Sequence, residues 1–120
     1  MHEFSLATDL LKLARHEASR NGISIIKKLT LRVGDISGVH IDAVEFAYCF
    51  LKEESDMTKS AVMEIEHVEG RGKCRNCGAD VKLERYFLFC PECGQPSVEI
   101  ISGREFMLVS LEGEEAEEKV

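Results

Sequence analysis

The chain of 120 residues contains no long apolar run and no low-complexity tract. No stretch approaches the roughly 18 consecutive apolar residues of a membrane-spanning helix, so no contact with a membrane interior is predicted. The opening Met-His-Glu-Phe also lacks a basic segment followed by an apolar one, the pattern that directs export. With 44% apolar residues, the composition predicts a soluble, globular, cytoplasmic protein.

Positive charge is also scarce. Lys and Arg number 15 against 22 Asp and Glu, which gives a formal net charge of −7. Phosphate binding depends on clustered Lys and Arg, so this balance argues against nucleic acid as the main ligand. Five of the seven residues from Glu112 to Glu118 are glutamates, and residues 113–120 are predicted to form a solvated acidic tail.

The common catalytic motifs are missing as well. There is no glycine-rich phosphate loop, no HExxH and no Ser-His-Asp order, and the many carboxylates do not identify a catalytic pair. Cys49 lies within a helical pattern beside Phe46 and Phe50, where we expect a small core residue rather than a nucleophile. The sequence therefore predicts a protein that is not an enzyme.

The most informative residues present are four cysteines in two CxxC pairs, Cys74 with Cys77 and Cys90 with Cys93. Together they offer four thiolates, a complete set for one tetrahedral zinc with sulfurs about 2.3 Å from the ion. Gly78 and Gly94 follow the two pairs. A glycine there lets the backbone turn back toward the metal with positive φ, which is costly for most other residues.

Two other interpretations of the cysteines are a pair of disulfides and a redox CxxC pair. Disulfides require an oxidising compartment, and the N-terminus carries no export pattern. A structural zinc site is therefore favoured.

Apolar spacing along the rest of the chain predicts further regular elements. The first is an amphipathic helix, whose apolar residues recur three and four apart in a stripe formed by Phe4, Ala7, Leu11, Ala14 and Ala18 and widened by Leu6, Leu10 and Leu13. Asp42 and Glu45 resemble a helix N-cap and its third helical residue, which indicates where a second helix begins. The predicted elements are a helix over 4–21, a strand over 25–33, a helix from Asp42, a strand over 61–68 and strand structure within 99–111.

These elements predict an α+β fold, in which two helices pack on a roughly three-stranded mixed sheet and a zinc-ribbon module is inserted. Large apolar residues occupy both faces within 106–111, so this strand is expected to be central or covered. Gly70 and Gly72, at the entry to the module, are expected to act as a hinge. The predicted boundaries are 1–69 and 98–112 for the α/β domain, 70–97 for the zinc-binding module and 113–120 for the tail.

His2 is the second feature of interest. The N-terminal amine, the His2 backbone nitrogen and the imidazole Nδ1 can bind one ion through small chelate rings, and planar nitrogen donation suits nickel(II) or copper(II). Glu3 can add a backbone nitrogen or a carboxylate oxygen. A disordered or helix-capping terminus is the alternative. His40, just before the second helix, fits either a supplementary ligand or a capping residue, and His67 fits a surface residue at a strand end.

The opening MHEFSLA, the SGVH loop after a strand ending in VGD, and the late pair of CxxC pairs together resemble the HypA/HybF family of hydrogenase nickel-incorporation proteins. The resemblance covers essentially the whole chain. It implies a metallochaperone that accepts nickel and helps to deliver it to the large subunit of nickel-iron hydrogenase, alongside the GTPase HypB. It also implies nickel binding by His2, with Glu3 as the adjacent family residue, and structural zinc at Cys74, Cys77, Cys90 and Cys93.

Some relatives place a histidine directly after a cysteine pair, whereas this chain has Gly78 and Gly94, so zinc-ligand exchange with such histidines is not expected. We expect a monomer or a weak homodimer. One rival interpretation is a zinc ribbon that binds nucleic acid or a transcription complex, which the net charge of −7 opposes. Another is a zinc enzyme, which four cysteine ligands oppose because they leave no open coordination position.

Overall fold

The computed structural model of the protein describes residues 2–83 and 89–115. Two helices and two three-stranded sheets make up this part of the chain, which confirms the α+β class. No helix in it is both long and apolar enough to span a membrane. The elements are α1 (His2–Arg20), β1 (Ile23–Gly34), α2 (Ile41–Leu51), a 3-10 turn (Lys52–Glu54), β2 (Val62–Val68), β3 (Gly70–Cys74), β4 (Asp80–Leu83), β5 (Val98–Ser102) and β6 (Phe106–Glu115).

The described chain divides into two compact units. Unit 1 comprises residues 2–31, 40–65 and 108–115, and unit 2 comprises 32–39 and 66–107 apart from 84–88. One sheet has the strand order β2-β1-β6, and the other has the order β4-β3-β5.

The core of unit 1 is formed mainly by the two helices and β1. The predicted first helix is present, and its buried face follows the expected spacing of three and four residues. Phe4 and Leu13, which the pattern placed on the apolar stripe, are instead 41% and 46% exposed. The buried side chains are Ala7, Leu10, Leu11, Ala14 and Ala18 on α1, Ile26, Leu29 and Leu31 on β1, and Val44, Ala47, Tyr48 and Leu51 on α2.

The start of α2 differs from the prediction. His40, not Asp42, is the N-cap residue, with an extended backbone (φ −83°, ψ 102°) and no capping hydrogen bond from its side chain. The helical bonding begins with the N–H of Val44 donating to the carbonyl of His40 at 3.1 Å. The helix therefore starts two residues earlier than the Asp42 pattern indicated, just after a loop in which Gly38 has φ of 80°.

The strand within 106–111, which was expected to be central or covered, is not central. β1 is the middle strand of its sheet, and β6 lies at an edge. Leu108 and Leu111, which alternate onto opposite faces of β6, both pack against the core, whereas Met107 is 46% exposed. Apolar residues on both faces of β6 therefore indicated contact with the core, but they did not place the strand at the sheet edge.

The segment 98–112, predicted to belong wholly to the first domain, is divided in the structure. β5 pairs antiparallel with β3 in the second sheet. Gly103, with φ of 115°, interrupts the strand pattern between β5 and β6. Residues 113–115 of the predicted tail belong to β6, which extends through Glu115, and residues 116–120 lie outside the described part.

Tyr48 makes a buried polar contact in unit 1. Its hydroxyl donates a hydrogen bond of 2.7 Å to the carbonyl of Ala61, and burial raises the pKa of the phenol. Replacing Tyr48 with Phe is expected to lower the free energy of unfolding by about 1–2 kcal/mol, because the buried carbonyl loses its main donor. Denaturant unfolding would measure this. Zinc content should stay constant as a control, and an unchanged midpoint would contradict the expectation.

Candidate metal centres

The first knuckle, residues 74–79, begins where β3 ends. The N–H of Cys74 donates to the carbonyl of Ala79, and the N–H of Gly78 donates to the carbonyl of Cys74, both at 2.9 Å. The N–H of Cys77 also points at the Cys74 sulfur, at 3.5 Å. Gly78 has φ of 76°, as predicted, so the backbone folds back around the two sulfurs.

The second knuckle, residues 90–95, repeats this arrangement. The N–H of Gly94 donates to the carbonyl of Cys90 at 2.7 Å, and the N–H of Cys90 donates to the carbonyl of Gln95 at 3.0 Å. Gly94 has φ of 73°. Both CxxCG motifs therefore fold in the same way, and both glycines adopt the positive φ that the sequence predicted.

The two knuckles bring four sulfurs together. The Sγ atoms of Cys74, Cys77, Cys90 and Cys93 all lie within 4.8 Å of one another. Across the knuckles, Cys74 and Cys93 are separated by 3.6 Å, as are Cys77 and Cys90. Sulfurs about 2.3 Å from a tetrahedral zinc would be about 3.8 Å apart, so the cluster has the size of a zinc site. All five cysteines are free thiols in this structure, which does not support the disulfide alternative.

The sheet β4-β3-β5 supports the sulfur cluster with a small apolar core. Cys74 and Cys90 are each 1% exposed and belong to the same buried cluster as Val81 and Leu83. Cys77 is exposed and Cys93 is half-buried. The cluster therefore has two sulfurs within the core and two toward its surface.

Gly70 and Gly72 lie within β3, which pairs with a strand on each side, rather than in a hinge. A Cβ on Gly72 would lie 2.6 Å from Cγ1 of Val98 and 2.8 Å from the carbonyl oxygen of Glu99. A Cβ on Gly70 would lie 2.5 Å from the carbonyl oxygen of Leu83. These glycines are required for close strand packing, so the predicted hinge is not observed at either position.

Backbone N–H groups and the neighbouring sulfurs both shift the pKa values of Cys77 and Cys93. The backbone N–H of Gln95 is the main cause that lowers the pKa of Cys93 to about 6, with a further contribution from Asn76. The N–H of Ala79 acts to lower the pKa of Cys77, but the neighbouring sulfurs and desolvation outweigh it and raise that pKa to about 12. Four thiolates this close repel one another, and a dication would offset that repulsion and favour their deprotonation.

A second polar group lies at the N-terminal end of unit 1, where His2 is the first described residue of α1 and is exposed. The carboxylate of Glu3 accepts a hydrogen bond of 3.4 Å from the backbone N–H of His40. The pKa of Glu3 is lowered chiefly by its own backbone N–H, then by that of His40, and to a smaller extent by the imidazoles of His40 and His2. The structure therefore brings His2, Glu3 and His40 together, although 37 residues separate Glu3 from His40.

The remaining sequence candidates lie elsewhere. Met1, which would supply the amine, lies outside the described residues. His67 is an exposed residue of β2 in unit 2.

Cys49 is exposed and is not the core residue that was predicted. It lies on α2 between Phe46 and Phe50, which are also exposed. The helical period separates this face from the buried one formed by residues 44, 47, 48 and 51. The same period, applied to the sequence, could have identified the exposed aromatic face.

Comparisons with known proteins agree on one family. The family model described as "Hydrogenase/urease nickel incorporation, metallochaperone, hypA" matches residues 1–113. The chain is 40% identical to hydrogenase maturation factor HypA of Moorella thermoacetica over 114 residues, covering 95% of this chain and 100% of that protein. It is 36% identical to the factor of the same name from Aquifex aeolicus over 113 residues, covering 93% of this chain and 96% of that protein.

Two solved structures that resemble this chain belong to the same family. The solution structure of the Ni metallochaperone HypA from Helicobacter pylori matches with a TM-score of 0.69 and 25% identity, covering 95% of this chain and 98% of that one. A second solution structure, of a HypA protein, matches with a TM-score of 0.67 and 28% identity, covering 94% of this chain and 96% of that one. The similarity in sequence and in fold thus extends over nearly the whole chain.

Proposed function

The chain belongs to the HypA family of nickel metallochaperones of hydrogenase maturation, and from this premise we propose that it binds Ni(II) at its N-terminus and helps to insert the ion into the large subunit of nickel-iron hydrogenase. As a metallochaperone, it is not an enzyme. The observation that supports the N-terminal site is the grouping of His2, Glu3 and His40 at one end of unit 1.

In the proposed nickel site, His2 supplies its imidazole and backbone nitrogen, and the N-terminal amine completes the chelate rings. Nitrogen donors in this arrangement suit Ni(II). Glu3 adds a carboxylate oxygen or its backbone nitrogen. The N–H of His40 holds the Glu3 carboxylate and keeps it charged, so His40 contributes at least by positioning Glu3.

The second part of the proposal is a structural zinc held by Cys74, Cys77, Cys90 and Cys93. The fit between the 3.6 Å sulfur separations and a tetrahedral site supports it. Four thiolates leave no position open for substrate, so the zinc would stabilise the fold of unit 2 rather than catalyse a reaction.

The two sites differ in exposure, which suits transfer of only one metal. His2 is exposed, so a receiving protein can replace nickel ligands one at a time, whereas Cys74 and Cys90 are almost fully buried. The proposed partners are a HypB-like GTPase and the hydrogenase large-subunit precursor, and the proposed location is the cytoplasm. The α/β domain would present nickel, and the zinc would have a structural role in the zinc-binding module.

A complementation experiment tests this function. Deleting the gene should leave hydrogenase without nickel, and wild type should restore activity. His2→Ala should restore less than about a tenth of it, since loss of a ligand should cost at least as much as the 10- to 100-fold typical of an outer-shell partner. His16→Ala is the matched control, because it removes an exposed histidine from the same helix.

Equal complementation by His2→Ala and wild type would contradict the proposed nickel site. Excess nickel in the medium should partly replace the chaperone. If it restores no activity in the deletion strain, supply of nickel alone is too narrow a description of the function.

A further inference from the structure

Three phenylalanines lie exposed in unit 1. The exposed fractions of Phe46, Phe50 and Phe4 are 76%, 64% and 41%. Phe46 and Phe50 are one helical turn apart on α2, and the ring centroids of Phe4 and Phe50 are 6.5 Å apart. Because the opposite face of α2 supplies the core, the rings of Phe46 and Phe50 are not needed for folding. Clustered exposed aromatic side chains are typical of a protein-binding surface.

Acidic side chains border these phenylalanines. Asp42 lies one helical turn before Phe46, and Glu53 lies three residues after Phe50, so carboxylates continue the aromatic stripe at both ends. Within residues 2–83 and 89–115, no ion pair involves Asp42, Glu45, Glu53 or Glu54. The exposed carboxylates of this region are Asp42, Glu45, Glu53 and Glu54.

This acidic border selects among possible occupants. Two copies of the chain that met through the phenylalanines would bring their carboxylates together, and like charges facing each other oppose association. An anionic lipid surface would be repelled for the same reason. A protein segment with apolar side chains flanked by Lys or Arg would bury the rings and neutralise the carboxylates.

We propose that Phe4, Phe46 and Phe50 form the docking surface for the protein that receives the nickel, and that its contacting segment is apolar with flanking basic residues. The inference rests on the proposed function. Phe4 lies in the first turn of α1, two residues after His2 and next to Glu3. A partner bound there lies against the proposed nickel ligands, as ligand-by-ligand transfer requires.

The test uses the zinc-loaded, nickel-free full chain and the hydrogenase large-subunit precursor of the same organism, with binding measured by calorimetry. The double variant Phe46→Ser/Phe50→Ser should bind the precursor at least about tenfold more weakly. Asp42→Lys/Glu53→Lys should also weaken binding, and added salt should weaken that of wild type. Ile101→Ser is the matched control, since it removes an apolar side chain that is 65% exposed from unit 2 and should leave the affinity unchanged.

Unchanged precursor affinity in the phenylalanine double variant would overturn the proposal, and so would failure of wild type to bind the precursor. A wild-type homodimer that the double variant dissociates would also overturn it, because the occupant would then be a second copy. Circular dichroism and zinc content should show that every variant is folded. Titration with Ni(II) alone separates the two hypotheses: a wild type that binds the precursor through these phenylalanines but binds no nickel would support the docking surface and contradict the proposed function.

Discussion

Replacing Cys74 or Cys90 with serine is expected to abolish zinc binding and to unfold the knuckles of unit 2. Each side chain is 1% exposed and belongs to a small buried cluster with Val81 and Leu83. A core this small gives little hydrophobic stabilisation by itself, whereas zinc binding supplies about 10–16 kcal/mol in zinc-finger peptides and is coupled to their folding. Zinc content should fall from about one per chain to near zero.

Metal analysis, X-ray absorption and amide hydrogen exchange would measure these effects. The wild-type absorption spectrum should show four sulfur ligands, and residues 70–83 and 89–102 should lose exchange protection in the variants. Cys49→Ser is the matched control, since Cys49 is exposed and lies outside the sulfur cluster. Nitrogen in the zinc shell, or protected knuckles without metal, would contradict the prediction.

The knuckle conformations could be predicted from sequence because they depend on adjacent residues. A CxxCG segment must turn within a few residues to direct both sulfurs to one point, and a glycine is the residue that adopts positive φ at low cost. The same locality explains why the buried face of α1 was predicted largely correctly: helical periodicity relates residues only three or four apart.

Strand arrangement could not be predicted in this way. The apolar pattern of β6 does not reveal which strand it pairs with, and its place at a sheet edge follows from pairing with the distant β1. The assignment of β5 to the other sheet depends likewise on its pairing with β3. Gly103 was the available local signal, because a glycine within a strand pattern often marks a bend.

The two candidate metal sites also differ in how far they depend on contacts between residues that are distant in sequence. The zinc cysteines were recognisable from spacing alone, because each pair is local and the pairs are only 13 residues apart between Cys77 and Cys90. The contact between Glu3 and His40 joins the start of α1 to the start of α2, so it exists only after the helices have packed. A sequence pattern identifies both residues as possible ligands but cannot place them together.

Nickel(II) is expected to bind to the untagged chain with an affinity that His2→Ala lowers by more than about a hundredfold, a larger loss than removal of an outer-shell partner causes. His2→Ala removes an imidazole donor. A short extension before Met1 should have a similar effect although every side chain is intact, because it converts the amine into an amide and removes one chelate ring. Neither change affects the four sulfurs, so zinc content should remain constant.

Acidification should also release nickel, and the nitrogen donors should account for the loss. Backbone hydrogen bonds lower the pKa of Glu3, so its carboxylate remains charged at pH values below its usual range. Imidazoles and α-amines, by contrast, take up protons around and below neutral pH, and these protons compete with the metal. Affinity should therefore fall steadily as the pH decreases from 7.5 to 5.5, a range in which carboxylate protonation contributes little.

Calorimetric titration of untagged wild type, His2→Ala, the extended chain and His16→Ala would test the N-terminal site. His16→Ala should match wild type, since that histidine lies further along the same helix. If nickel affinity is unchanged in both His2→Ala and the extended chain, the N-terminus is not the site, and His40 and His67 become the histidines to replace next. If only the extended chain retains its affinity, the imidazole is required but the amine is not, because a chelate built on the amine must weaken whenever that nitrogen becomes an amide.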